Sequence, residues 1–339
     1  CLALFVVSPL LTRGFIPTHD GEYHIIRFWQ FEKMLRAGYL FPRWAPDLNS
    51  GYGVPLFNFH YPFPNYVGSL FHLLGWSFVD SFKLVLATGY LGAAIACLFW
   101  LKKLFDRTAA TVGTIIFSFI PYWFVDIYVR GSVGEVLALG FVMIALASIE
   151  YGRQIVFSLA IAGLILSHNI LAMLFVPILF GYMVLRRKPY WMALVRGILL
   201  PAYFWIPALA ERGYVTGLTS INYRDHFPDL VQLLIPSWGT GFSGPGLVGG
   251  EMSFQIGVAA LLLSVATLAL VRQEKNRPIR LLILSTLGLF LLGVFLMLPL
   301  SDFVWRLLPV FTYLQYPWRL LSIFLPIVAL WAGYVASRV

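Results

Sequence analysis

Apolar runs of about 17–22 residues alternate with short polar clusters along this chain, the length needed to cross the hydrocarbon core of a bilayer as a helix. The runs predict about ten spans, at 1–12, 84–101, 108–125, 133–150, 154–168, 170–185, 191–209, 254–271, 280–299 and 320–337. The run at 1–12 is too short to cross alone and reads as the outer part of a first span. More chain is expected beyond 339, because the sequence stops directly after an apolar run. Residues 62–76 predict a short helix that dips into the membrane without crossing. There is no internal repeat and no low-complexity tract. The expected fold class is therefore an all-α integral membrane protein, with residues 1–339 forming one polytopic helical bundle.

Composition agrees. The chain is 60% hydrophobic and 12% charged, with a mean hydropathy of +0.81; a soluble domain carries about 25% charged residues. Aromatics at 17% and 20 prolines suit interface belts and broken helix ends. No basic region precedes the first run and no small-residue cleavage site follows it, so a signal peptide is not expected. Cys1 and Cys97 both lie in apolar runs and make neither a disulfide framework nor a metal site.

The charges set an expected orientation. One set of short junctions holds Lys102, Lys103 and Arg107, then Arg153, then Arg186, Arg187 and Lys188, then Arg272, Lys275, Arg277 and Arg280, then Arg338. Only Asp106, Glu150 and Glu274 accompany them. Basic turns between spans belong in the cytoplasm. The formal charge of +9 thus sits in membrane-flanking turns, which argues against a nucleic-acid partner. The expected localisation is the plasma (inner) membrane with the active face extracytoplasmic. The opposite side carries two long loops, 13–62 and 211–253, and all six histidines fall on it or at its edge.

The first of these loops opens with His19-Asp20-Gly21-Glu22-Tyr23-His24 and runs into a helical pattern ending near Gly38. Ile25, Phe28, Trp29, Phe31 and Leu35 approximate an apolar face, with Arg27, Lys33 and Arg36 opposite, which predicts a helix lying in the interface. Asp20 fits a helix N-cap, where a short carboxylate satisfies free N–H groups. It also fits a general base, and His19, Asp20 and His24 are candidate ligands for a divalent cation. The two roles of Asp20 are compatible. Farther on, Gly38-Tyr39-Leu40-Phe41-Pro42-Arg43-Trp44, Gly51-Tyr52-Gly53-Val54-Pro55 and Asn58-Phe59-His60-Tyr61-Pro62 form either an interfacial aromatic belt or a rigid binding platform.

An acidic residue just after a span, a juxtamembrane helix and a G-x-x-x-P-R-W … G-Y-G-x-P … Y-P stretch resemble the GT-C superfamily of polytopic glycosyltransferases. Within it the chain looks closest to bacterial and archaeal membrane proteins labelled "6-pyruvoyl-tetrahydropterin synthase-related". The resemblance covers the first loop well and the span pattern loosely. It implies a functional carboxylate at Asp20, with Glu22 as a near substitute, a polyprenyl-phosphate-linked sugar as donor, and transfer on the outer face. The chain departs from the family in lacking an Asp-x-Asp or Asp-Glu pair in its second outer loop, which bears on metal dependence and on activity itself.

Other polar groups join this set. Asp126 to Glu135 bring two acids and Arg130 to a junction, where the bland alternative is a helix connection with Arg130 paired to Asp126 or Glu135. Glu135 enters a span and needs a partner or a water-filled cavity. His168 sits at a tight Ser-His-Asn turn. The segment 211–253 contains Tyr223-Arg224-Asp225-His226 and a glycine-rich run at 239–250, which is either a mobile lid or a connector and matches no phosphate-loop pattern. Arg319, at a Tyr-Pro-Trp-Arg corner, either anchors the span end or pairs with a lipid phosphate.

The leading expectation is an inverting glycosyltransferase with Asp20 and Glu22 as catalytic candidates. His24, Arg130, His168, Arg224 and Arg319 are the substrate and phosphate ligands. No cofactor is certain, though a divalent cation is allowed for. The expected partners are a lipid-linked sugar, membrane lipids and, in one alternative, subunits of a membrane complex. The rivals are a transporter or lipid flippase and a non-catalytic subunit on the same scaffold. Against transport, the spans are nearly charge-free, with Arg196 the chief exception.

Overall fold

The computed structural model describes residues 2–216, 221–244 and 250–338. The chain is 72% helical, and no strand occurs among the described residues. In chain order the helices are α1 (Leu2–Val7), α2 (Gly21–Arg36), α3 (Leu56–Phe59), α4 (Phe63–Leu73), α5 (Phe78–Leu101), α6 (Arg107–Ser118) and α7 (Pro121–Phe124). A π-helix, Val125–Arg130, continues α7. Then come α8 (Val133–Tyr151), α9 (Gln154–Ser167), α10 (Asn169–Leu185), α11 (Trp191–Leu199), α12 (Ala202–Glu211) and α13 (Leu230–Leu234). The last four are α14 (Val258–Val271), α15 (Arg277–Met297), α16 (Asp302–Leu307) and α17 (Leu321–Ala336).

Each of the ten apolar runs is helical over most of its length. Four helical segments are long and apolar enough to cross a membrane: Phe78–Leu101, Val133–Tyr151, Arg277–Met297 and Pro317–Ala336. Two further runs are bent pairs, α6 with the 121–130 segment at 44° and α11 with the 202–214 segment at 62°, which brings the number of candidate spans to six. The remaining four runs are apolar helices of 10–17 residues. Pro121 and Pro201 stand at the two bends, where a missing N–H and a fixed φ interrupt the ladder.

Local chemistry sets the helix ends. Ser77 Oγ accepts from the Asp80 amide at 3.0 Å ahead of α5. Asp106 accepts from Thr108 and Ala109 ahead of α6, and Asn276 from Ile279 ahead of α15. These caps satisfy amides that a helix start leaves without partners.

Helices α8 and α17 form the centre. Their candidate spans are 83% and 89% buried, against 28% for α15, which leaves α15 as a peripheral element. Small residues let the backbones close up. A Cβ on Gly89 of α5 would lie 3.1 Å from the Leu137 amide nitrogen of α8, and one on Gly113 of α6 would lie 2.7 Å from the Ala329 carbonyl of α17. Such contacts are how apolar helices associate where burial from water gives no driving force. At the far ends of α8 and α10, Glu150 takes a forked pair of bonds from Arg186 at 2.6 and 2.9 Å, plus one from the Tyr182 hydroxyl.

Helix α2 buries a partly polar face rather than the purely apolar one its sequence suggests. Its buried residues include His24, Phe28, Gln30, Phe31 and Glu32, whereas Trp29 is exposed. The helix packs on α4 and α5 with a partly polar face. That face is satisfied internally: Gln30 bonds Asp47, and Glu32 bonds Arg36 and His72. Gly38, at φ +92°, follows the last turn, as the sequence suggests.

Candidate functional site

The ends of α8, α9, α10, α12 and α17 and the start of α2 surround one cavity of about 910 Å³. Of the sequence-derived candidates, His19, Asp20, His24, Arg130, His168 and Arg319 all line it. Backbone pairing brings the first two to the junction after the π-helix: the His19 amide donates to Val129 and the Asp20 amide to Arg130, both at 2.9 Å. Gly131, at φ +66°, closes that junction against Thr18.

Asp20 occupies the N-cap position of α2, but its carboxylate makes no capping bond. Thr18 Oγ1 accepts from the Gly21 amide instead, at 3.1 Å. The expected capping role is thereby corrected, and the carboxylate is left to the cavity. Asp20, Tyr23, His24 and Arg27 recur at helical spacing and all face it.

Behind the cavity wall lies a buried ionic network. Glu135, fully buried in the first turn of α8, accepts from Arg130 at 2.8 Å, Arg319 at 2.8 Å and the Tyr122 hydroxyl at 2.9 Å. His168 Nε2 stands 3.6 Å from the same carboxylate. Arg130 also holds Asp126 at 2.6 Å, so the sequence's two alternatives for its partner are both realised. Arg319 donates further to the Leu314 carbonyl and to Gln315. Both guanidinium groups stand over Trp318, at 4.9 and 5.9 Å. Each guanidinium has five N–H donors, so both retain donors for a ligand while carboxylates and indole fix their planes.

The π-helix carries two members of this network. Asp126 and Arg130 are four positions apart within it and so share one face, and π turns recur at functional sites. His168 caps α10 by accepting from the Leu171 amide through Nδ1 at 3.2 Å, which directs Nε2 toward Glu135. The Tyr61 ring lies tilted against His168 at 4.8 Å and fills the space that a Cβ on Gly134 would take.

Two candidates lie elsewhere. Glu22 is exposed on α2 and does not line the cavity. Arg224 is bound to Asp302 at 2.9 Å, which holds the Asp302 carboxyl below its usual range. A short 3₁₀ turn, Tyr223–His226, directs Arg224 to that partner rather than to the cavity.

The metal set is also corrected. His19 Nε2 lies 2.8 Å from the Thr240 carbonyl, and His24 is buried beside Phe28 and Phe82. Among the described residues no three His, Cys, Asp or Glu side chains are gathered as ion ligands. With Asp20 the one carboxylate on the lining, the donors do not fit a hard divalent cation, which takes six or more oxygens.

The lining residues outside the candidate set include Arg27, His60, Tyr61 and Arg212. Arg27 was detectable, since it follows His24 by three positions and Asp20 by seven. Burial, reinforced by the Arg27 charge, holds His24 and His60 well below the usual imidazole range. Burial pushes the Tyr61 hydroxyl up.

The long segment 211–253 supplies another wall through Ile221, Phe242, Ser243 and Met252. His226 bonds Ser243 at 2.7 Å. Residues 245–249 of the expected glycine-rich lid lie outside the described residues.

Comparison of the chain with protein-family models, curated proteins and solved structures gives no match.

Proposed function

We propose that the cavity transfers a sugar from a polyprenyl-phosphate-linked donor to an acceptor hydroxyl on the extracytoplasmic face of the membrane. The observation that carries this reading is a single uncommitted carboxylate, Asp20, in the same cavity as fixed arginine donors. Asp20 takes the proton of the acceptor hydroxyl. The freed oxygen forms a bond to the anomeric carbon, the bond from that carbon to the phosphate oxygen breaks, and the electron pair leaves with the phosphate. Attack from the side opposite the phosphate inverts the anomeric centre.

Arg130 and Arg319 receive the phosphate as its charge grows. Their partners hold them in place beforehand, so little reorganisation accompanies the step. The planar guanidinium matches two phosphate oxygens with parallel bonds. Tyr316 and Trp318, stacked at 5.0 Å beside this edge, offer flat apolar surface to a sugar ring or prenyl chain.

The test is Asp20→Asn in purified protein supplied with radiolabelled polyprenyl-phosphate sugars and membrane-extracted acceptors. Transfer is expected to vanish while thermal unfolding stays as in the unaltered protein. Full transfer by the variant would remove the assignment.

A further inference from the structure

The end of the bundle opposite the cavity carries its own assembly of aromatic and cationic side chains. Helix α8 runs from Glu135 at the cavity to Tyr151, about 24 Å away at a rise of about 1.5 Å per residue. There the exposed Tyr151 ring meets the exposed Phe99 ring of α5 edge-on, with centroids 6.3 Å apart. A lysine stands over each ring. Lys102 Nζ lies 5.8 Å from the Phe99 centroid, and Lys103 Nζ lies 4.5 Å from that of Tyr151. Arg153, also exposed, follows Tyr151 by two positions in the turn after α8.

These three cations are not neutralised. The side chains of Lys102, Lys103 and Arg153 make no hydrogen bond or ion pair with any described residue. The acids nearest to them in the chain are committed. Glu150 takes the forked pair from Arg186 together with the Tyr182 hydroxyl, and Asp106 caps α6 through the Thr108 and Ala109 amides.

The surface leading to the cations is apolar. Ile95 and Phe99, four positions apart on α5, share an exposed face that ends at the two lysines. Both belong to a helix long and apolar enough to cross a membrane, so in a bilayer this face meets lipid chains. An apolar strip that ends in unpaired cations complements an anionic amphiphile, with its chain on the strip and its headgroup at the cations. Basic groups at span ends attract acidic headgroups in this way. A zwitterionic headgroup would bring a cation of its own to the same place, and free phosphate would leave the strip unused.

We propose that Lys102, Lys103 and Arg153, with the Phe99–Tyr151 edge beside them, form a binding site for the headgroup of an anionic phospholipid whose chain lies along Ile95 and Phe99. The site is independent of the glycosyl-transfer reading.

The experiment adds dioleoyl phosphatidylglycerol or dioleoyl phosphatidylcholine, which share their chains and differ in net charge, to the detergent-solubilised chain. Bound lipid is counted by native mass spectrometry. The acidic lipid should bind about tenfold or more tightly, as several basic groups at one charged headgroup imply. Lys102→Gln/Lys103→Gln/Arg153→Gln should lose most of that preference. Lys103→Gln alone leaves the junction basic, which preserves insertion, and should lose about fivefold. A matched control, Arg272→Gln/Arg277→Gln/Arg280→Gln, removes the same charge from exposed positions at the α14–α15 junction and should keep the preference.

Equal binding of the two lipids to the unaltered chain overturns the site, as does an undiminished preference in the Lys103→Gln and triple variants. An equal loss in the control overturns it too, because overall charge would then be the cause. Displacement of the lipid by inorganic phosphate at the same concentration would show that the strip contributes nothing and would remove the phospholipid as occupant.

Discussion

Glu135 and Arg319, 184 positions apart in the chain, meet at 2.8 Å in the interior and hold the start of α8 to the start of α17. The pair carries a stability consequence. Leaving one partner of a buried ion pair uncompensated costs about 3–5 kcal/mol, whereas replacing both with apolar groups is often close to neutral. Glu135→Leu is therefore expected to lower the unfolding midpoint sharply, because it strands Arg319 and takes one of the two carboxylate partners of Arg130. Adding Arg319→Met to it should recover part of the loss. Thermal unfolding of the two single variants and the double in detergent measures the coupling, and additive losses would remove the pair from the account of stability.

Gly131 links fold and site. Its φ of +66° is one that a residue with a Cβ adopts at a cost of about 1–2 kcal/mol. A Cβ there would also overlap Thr18, whose hydroxyl accepts from the Gly21 amide beside Asp20. Gly131→Ala is expected to destabilise by at least that strain and to lower transfer further than the stability loss explains. Unfolding midpoints and transfer rates on the same preparation test this; a stability loss with unchanged transfer would separate the junction from the positioning of Asp20.

The helical character was legible because period and length are written into the apolar runs. What crosses the membrane in one piece was less so: 154–168 and 170–185 read like spans by hydropathy but are helices of 17 residues or fewer, and the Pro121 and Pro201 bends split two others. The site was legible in its polar outliers, Asp20, Glu135, His168 and Arg319, since an ionisable group at a span end needs a reason to be there. Arg224 misled because an exposed cation looks available until its partner Asp302, 78 positions away, is known. Arg27 and Arg212 were passed over for the opposite reason. Arginine on the polar side of an interfacial helix is ordinary, and only the folding of α2 onto α4 and α5 turns it inward.

Arg224 and Glu22 furnish a control outside the cavity. The Arg224–Asp302 pair is solvent-exposed, and such pairs contribute little to stability. Arg224→Gln and Glu22→Gln should each leave transfer unchanged and shift unfolding only slightly. A strong loss of transfer in either variant would mean that the reacting groups extend beyond the cavity wall.

Acid should destabilise the chain through His24. Its imidazole is buried against Phe28 and Phe82, and burial together with the Arg27 charge holds it neutral well below the usual range. In the unfolded chain the same ring protonates near about pH 6.5. Below that value the unfolded state binds a proton that the folded state refuses, so stability falls as pH drops from about 6.5 toward the depressed folded value. His60 adds to the effect with the same sign. Unfolding midpoints from pH 7.5 downward should therefore decline, and His24→Phe, which keeps an aromatic ring in the same apolar setting, should flatten the decline. An acid limb equally steep in His24→Phe would place the sensitive proton elsewhere.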